Sequence, residues 1–168
     1  MKQLEHAGPV RSGEVTRTIH VPFGGEADAV DLISFYPFAQ VREKLLMEGK
    51  VPAPDVDAAI TEFRKYLTLI ALGHQGLGMI SKDVDEVWHT FILFTRDYAD
   101  CCKEVFGSYL HHQPGVPSQP LGQEPRRRFL EAYHSTFGEL PAVWGVAADT
   151  CWSTCTTPST NCQDPKCR

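Results

Sequence analysis

The sequence has little of what nucleic-acid-binding and membrane proteins need. Its 168 residues carry 16 Lys and Arg against 21 Asp and Glu, which gives a net charge of −5. Affinity for phosphates rests on clustered cations, and the only basic cluster, residues 126–128, points in three directions on a helix. No apolar run approaches the roughly 20 residues that cross a bilayer. We therefore expect neither a nucleic-acid partner nor a membrane partner.

Targeting signals and common catalytic motifs are also missing. The segment 1–6 has charge but no apolar core after it, so it is not a signal peptide, and we expect a cytoplasmic protein. The chain has no Gly-x-Gly-x-x-Gly, no Walker loop and no Gly-x-Ser-x-Gly elbow. It also lacks His-Glu-x-x-His and Cys-x-x-Cys. These absences favour a non-enzymatic protein.

The apolar pattern predicts one compact all-α bundle of about five helices over residues 29–146. Apolar residues recur at three- and four-residue steps, which is the spacing of one helical face. The longest predicted helix, the fourth, runs from Lys82 to Phe106. Its middle, residues 91–94, is apolar on every side, which is typical of the central element of a small bundle. We expect Trp144 to anchor the chain where it returns over the bundle. The other helices are predicted near Ala29, from about Pro37 to Glu48, after a cap at Asp55 or Asp57, and around Pro125.

The two ends of the chain depart from this pattern. Residues 1–28 are interrupted by Gly and Pro and contain one strand-like piece, at 15–21, so we expect an extended N-terminal arm. From residue 147 the composition changes to Ser, Thr, Asn, Gln and Pro, together with cysteine. Such a segment cannot bury enough apolar surface to fold unless its cysteines cross-link (staple) the chain. Residues 147–168 are therefore predicted to be a disordered or stapled tail.

Histidines on and after the fourth predicted helix are candidate metal ligands. Asp85 and His89 are four residues apart, so their side chains meet on one helical face. Carboxylate and imidazole are common ligands of Zn and Cu. The pair His111 and His112 follows the end of the same helix. Because His89 and Gly107 lie roughly 27 Å apart along a straight helix, His89 and this pair can converge only if the chain folds back.

Each histidine candidate also has a purely structural interpretation. Without a bend, His89 is expected to meet His74, His134 or the N-terminal arm. Asp85 would then cap the first helical turn, and His89 would make one buried hydrogen bond. The histidine pair would act as cations that favour the negative end of the helix dipole.

The tail cysteines are the second group of candidate ligands. Four thiols can bind one soft metal or form two disulfides, although their spacing matches no standard zinc ribbon and a cytosol disfavours disulfides. The Ser and Thr residues between them are also typical of a ribosomally made peptide that is later dehydrated and closed by thioethers. The candidate metal ligands are Cys151, Cys155, Cys162 and Cys167, and the candidate modification sites are Ser153, Thr154, Thr156, Thr157, Ser159 and Thr160.

These features support three functional hypotheses. The leading one is a non-enzymatic folded carrier whose thiol-rich tail binds a soft metal or undergoes thiol chemistry, with a metal-handling protein as its partner. The alternative is the precursor of a modified peptide, in which the helical domain is the leader and a tail-modifying enzyme is the partner. The third is a small metal-dependent enzyme with its site at Asp85 and His89. The adjacent Cys101 and Cys102 stand apart from all three, because we expect at least one of them to fill the core.

The middle of the chain resembles a known family. Trp88-His89, Leu110-His111-His112 and the segment from Tyr133 to Pro141 are similar to the helical domain of the glycine-rich domain-containing protein-like family, over roughly residues 29–146. The resemblance implies an all-helical fold and small bacterial relatives, and it implies no reaction. That family often has a second histidine where this chain has Phe91, which implies a weaker metal site here.

Overall fold

The structure is a computed structural model that describes residues 25–113 and 121–145. Both of these stretches are helical. No strand occurs in these two stretches, so the prediction of an all-α fold is confirmed. The first helix begins at Glu26 rather than near Ala29; the rest of the predicted arm, and the whole predicted tail, lie outside the described residues. None of the described helices is both long and apolar enough to cross a membrane. The helices are α1 (Glu26–Phe35), α2 (Ala39–Glu48), α3 (Val56–Ala71), α4 (Lys82–Leu93), α5 (Thr95–Phe106) and α6 (Gln123–Phe137), with 3₁₀ turns at Ala53–Asp55 and Ala142–Trp144.

The centre of the bundle is α3, and not the fourth predicted helix. It contacts α1, α2, α4, α6 and both 3₁₀ turns, and most of its residues are buried. By contrast, the stretch 91–94 is not buried on every side: Phe91 is buried, but Leu93 is 60% exposed. The expectation drawn from that apolar stretch was wrong, because a small bundle surrounds only one helix and α3 carries the wider apolar face.

The fourth predicted helix is in fact two helices. Phe94 leaves the helical conformation at φ −83° and ψ 62°, and α5 begins at Thr95. The break brings Tyr98 back onto α4, where its hydroxyl accepts a hydrogen bond from Trp88 Nε1 at 3.0 Å and its ring packs edge-on against Phe91. The prediction of a continuous helix was therefore wrong, because aromatic packing outweighs helical continuity at a position without Pro or Gly.

Both cysteines of α5 lie in the core. Cys101 and Cys102 are 2% and 1% exposed, as expected for thiols that fill space between helices. Burial raises the pKa of Cys101 to about 12 and also raises the pKa of Cys102. Both side chains are thus held as neutral thiols.

A buried carboxylate fastens the C-terminal elements to α3. Glu62, 3% exposed, accepts hydrogen bonds at Oε2 from the Tyr133 hydroxyl at 2.6 Å and from Trp144 Nε1 at 2.7 Å. Its other oxygen pairs with Lys65 Nζ at 2.8 Å. These bonds tie α6 and the closing 3₁₀ turn to the central helix, and Trp144 is buried as predicted.

Candidate metal centre

Two side chains of the candidate centre come from the first turns of α4. This helix starts where the hydroxyl of Ser81 accepts a hydrogen bond from the backbone N–H of Val84 at 3.3 Å, which satisfies a free donor of the first turn. Asp85 and His89 follow Ser81 at four-residue steps. The three side chains therefore lie along one side of α4.

The third side chain, His112, arrives on the segment that follows α5. Gly107 ends α5 in the left-handed conformation, at φ 68°, and residues 108–113 continue without helical structure. Five residues of extended chain cover about 17 Å, close to the rise of about 18 Å over a twelve-residue helix such as α5. The chain can thus return along the whole of α5 and bring His112 beside α4. The helix break and this return segment together overcome the separation that a straight helix would impose.

A tyrosine holds the return segment in place. The hydroxyl of Tyr98 donates a hydrogen bond to the carbonyl of Leu110, two residues before His112, and accepts one from Trp88 Nε1. The ring of Trp88 lies edge-on to that of His112, with 4.4 Å between the ring centroids. Burial raises the pKa of Tyr98, so its hydroxyl remains a donor. Sequence reasoning did not identify this residue, because its role depends on the helix break.

The three side chains meet in one cluster. Nε2 of His112 lies 2.7 Å from Oδ1 of Asp85, and Nε2 of His89 lies 3.6 Å from Oδ2 of the same carboxylate. The two imidazole ring centroids are 4.6 Å apart. One nitrogen or oxygen from each of the three residues lies within 4.8 Å of the other two. The structure thus brings two imidazoles and one carboxylate together.

One nitrogen in the cluster has no hydrogen-bond partner among the described residues. Nε2 of His89 is closed off from solvent and unpaired, although the side chain as a whole is 38% exposed. The other ring nitrogen, Nδ1, lies 3.8 Å from Oε2 of Glu86. Leaving a buried polar atom unpaired costs free energy. The structural interpretation, in which His89 makes a buried hydrogen bond, does not describe this geometry.

The other sequence candidates are not part of this cluster. His111 is exposed, and its ring lies at a tilt against that of Tyr109, with ring centroids 5.0 Å apart. The expectation that His89 meets His74 or His134 was wrong, because the return segment places His112 there instead. The tail cysteines and the Ser and Thr modification candidates lie outside the described residues. Phe91 lies in the aromatic core, so a histidine at that position would face away from the cluster.

Comparison with known proteins places the chain in one family. No curated protein and no solved structure matches it. The sequence profile of a family described as UCP032817-like matches residues 29–135, a stretch that contains all three side chains of the cluster. Because this match spans more than half of the sequence, the chain belongs to the UCP032817-like family.

Proposed function

We propose that the helical domain binds one divalent transition metal ion, zinc, through Asp85, His89 and His112. The convergence of two imidazoles and a carboxylate from two separate segments is the observation that carries the proposal. Neutral imidazole and carboxylate are typical zinc ligands, and copper is the other metal that this donor set accepts.

The spacing of the donor atoms fits a tetrahedral ion. Ligands bound at about 2.0–2.1 Å in a tetrahedron lie about 3.3 Å from one another. Two separations lie on either side of that value: 2.7 Å from Nε2 of His112 to Oδ1 of Asp85, and 3.6 Å from Nε2 of His89 to the other carboxylate oxygen, Oδ2. The imidazole of His112 donates its Nε2 proton to the carboxylate, and zinc would take the place of that proton, as metal binding usually does. Metal binding would therefore draw one donor atom of each residue, now within 4.8 Å of the other two, closer together.

Nearby groups support the orientation of both histidines. Glu86 faces Nδ1 of His89, which leaves Nε2 free for the metal, and Glu86 is itself held by Lys50 at 2.8 Å. The His112 side chain is 6% exposed and packs against Trp88. Hydrogen-bonded outer partners fix the rings of metal-binding histidines and raise metal affinity, and Glu86 would become such a partner if its 3.8 Å separation from Nδ1 of His89 shortened.

Three protein ligands leave a fourth coordination position. A water there is typical of catalytic zinc, whereas a fourth protein ligand is typical of structural or storage sites. We infer a binding role and not an enzymatic one, since the cysteine-rich tail offers a fourth ligand from this same chain. The enzymatic alternative, with its site at Asp85 and His89, requires water to stay in that position.

Zinc titration against a chromophoric chelator tests the proposal. The full chain with its four tail cysteines replaced by serine isolates the cluster from the thiols. We expect one zinc per chain, and an affinity loss of about 100-fold or more in H89A and in H112A. The matched control is H111A, which removes the neighbouring exposed imidazole and should bind zinc like the parent. Equal zinc affinity in H112A and H111A contradicts the proposal.

The alternation of Ser, Thr and Cys in residues 147–168 favours a second candidate, a precursor of a modified peptide served by a tail-modifying enzyme. Intact mass of the protein from its native host tests this candidate: loss of water supports it, and an unaltered tail mass contradicts it.

We also propose the wider relationship to the glycine-rich domain-containing protein-like family, which rests on Trp88-His89 and His111-His112. A cytoplasmic location, where thiols stay reduced, is proposed with both candidates.

A further inference from the structure

We propose that the pocket between the α3–α4 loop (residues 72–80) and α6 binds a small organic acid, whose carboxylate pairs with Arg128 and His74. The pocket has a volume of about 370 Å³, and Arg128, His74 and Leu77 are among the residues that line it. Pockets that hold small molecules have volumes of about 300–1,000 Å³, so one compact ligand fits here. The described residues that line the pocket include none of the candidate metal centre, so this inference goes beyond the proposed zinc site.

Glycines bring the α3–α4 loop close to α6. The backbone N–H of Gly78 donates a hydrogen bond to the carbonyl of Pro125 at 2.9 Å, and a Cβ at Gly78 would lie 3.0 Å from the carbonyl carbon of Pro125. At Gly76, which has a φ of 64°, a Cβ would lie 2.8 Å from Nη1 of Arg128. A larger residue at either position would push the loop or the Arg128 side chain away. The loop thus forms one wall of the pocket, and α6 forms the other.

The guanidinium group of Arg128 is held in position with most of its donors free. Its Nε donates a hydrogen bond to Oε1 of Glu124 at 2.8 Å, and Arg127 donates to the same carboxylate. Hydrogen bonds from Arg127 and Arg128 lower the pKa of Glu124 to about 2, so this carboxylate stays charged and keeps Arg128 in place. Nη1 and Nη2 of Arg128 have no hydrogen-bond partner among the described residues. These two nitrogens present the paired N–H groups that match the two oxygens of a carboxylate.

A second donor and a local excess of positive charge favour an anion. The backbone N–H of His74 donates a hydrogen bond to the last turn of α3, which fixes the start of the loop, and the imidazole lines the pocket. Glu131 also lines the pocket, but Arg127 binds both of its oxygens. Three arginines, residues 126–128, stand against two glutamates, Glu124 and Glu131, on this part of α6. One positive charge is therefore left over, in a chain whose net charge is −5.

The apolar part of the pocket favours an organic acid over an inorganic anion. Leu77 lines the pocket from the loop and Ala132 lines it from α6. Apolar walls with a few convergent polar groups are typical of small-molecule sites. A carboxylate joined to an apolar group therefore satisfies both parts of the pocket, whereas an inorganic anion would leave the apolar part without a contact.

Benzoate, a carboxylate on an apolar ring, is the probe that tests the inference, and benzamide is its neutral counterpart. NMR of the backbone amides in the full chain, without added zinc, reports where each compound binds. We expect benzoate to shift the amides of Gln75, Leu77 and Ala132 in a saturable way, with a dissociation constant on the order of 1 mM. Benzamide should bind about tenfold more weakly, because it lacks the charge that strengthens hydrogen bonds from Arg128.

Two variants that each remove one positive charge from residues 126–128 test the role of Arg128. R128Q removes the guanidinium that lines the pocket, and the matched control R126Q removes an exposed neighbour. R128Q should weaken benzoate binding about tenfold, and R126Q should bind benzoate like the parent chain. Equal benzoate affinity in R128Q and R126Q overturns the inference. It is also overturned if benzamide binds as tightly as benzoate, or if millimolar benzoate gives no saturable shift of these amides. Each of these contrary results leaves the proposed zinc site standing.

Discussion

Replacing Glu62 by Gln tests whether the buried carboxylate holds the C-terminal elements on α3. The side chain keeps its shape, but it loses the charge that Tyr133 and Trp144 donate to and that Lys65 pairs with. Hydrogen bonds to charged acceptors contribute about 1.5–3 kcal/mol each, against about 0.5–1.5 kcal/mol for neutral ones. Weakening two such bonds should thus cost about 2 kcal/mol.

Lys65 adds little to that figure. Its side chain is 32% exposed, so the ammonium group can turn to water when the carboxylate is removed. We therefore expect E62Q to lower the free energy of unfolding by about 2–3 kcal/mol, an amount typical of a broken buried network.

Urea unfolding followed by tryptophan fluorescence measures this loss. The midpoint should fall by about 1 M or more, for a denaturant slope of about 2 kcal/mol/M. The matched control is E131Q, because Glu131 pairs with Arg127 on the surface, where both side chains are about half exposed. That control should change the free energy of unfolding by less than about 0.5 kcal/mol. If E62Q is no more destabilising than E131Q, the reasoning about the buried carboxylate is wrong.

Three further predictions concern the return segment, the buried thiols and the metal. Y98F removes the hydrogen bond to Leu110 and leaves Trp88 Nε1 unpaired. We therefore expect a loss of about 1–3 kcal/mol in the free energy of unfolding and about tenfold weaker zinc affinity. Unchanged zinc affinity in the folded variant contradicts the positioning role of Tyr98. Burial raises the pKa values of Cys101 and Cys102, so both thiols should resist iodoacetamide at pH 8 in a chain whose tail cysteines are serine. Both should react once urea unfolds that chain. Rapid reaction in the native state contradicts the buried placement of the two thiols. Zinc at 100 times its dissociation constant should stabilise the same chain by about 2.7 kcal/mol in a thermal unfolding experiment, and should leave H112A unchanged; equal stabilisation of both chains counts against the cluster.

The helices could be read from the sequence because their signals are local. Apolar residues at helical spacing mark α3, Ser81 marks the start of α4, and Gly107 marks the end of α5. Each of these signals depends on a few neighbouring residues. The predicted and the observed numbers of α-helices therefore differ only by the break at Phe94.

The break and the cluster depend on contacts between distant residues. Phe94 is neither Pro nor Gly, and only Asp97, in the first turn of α5, is typical of a helix start at that place. The pairing of Trp88 with Tyr98 decides the bend, and the bend decides which histidine reaches Asp85. The sequence therefore identifies the candidate ligands one by one. Which of them meet is a property of the tertiary fold.

Anomalous diffraction at the zinc edge, from crystals of the full chain grown with one equivalent of zinc under reducing conditions, locates the proposed ion directly. We expect one strong peak at about 2.0–2.2 Å from a carboxylate oxygen of Asp85 and from Nε2 of both His89 and His112. A peak at the exposed His111, or no peak within the cluster, would contradict the proposed metal centre.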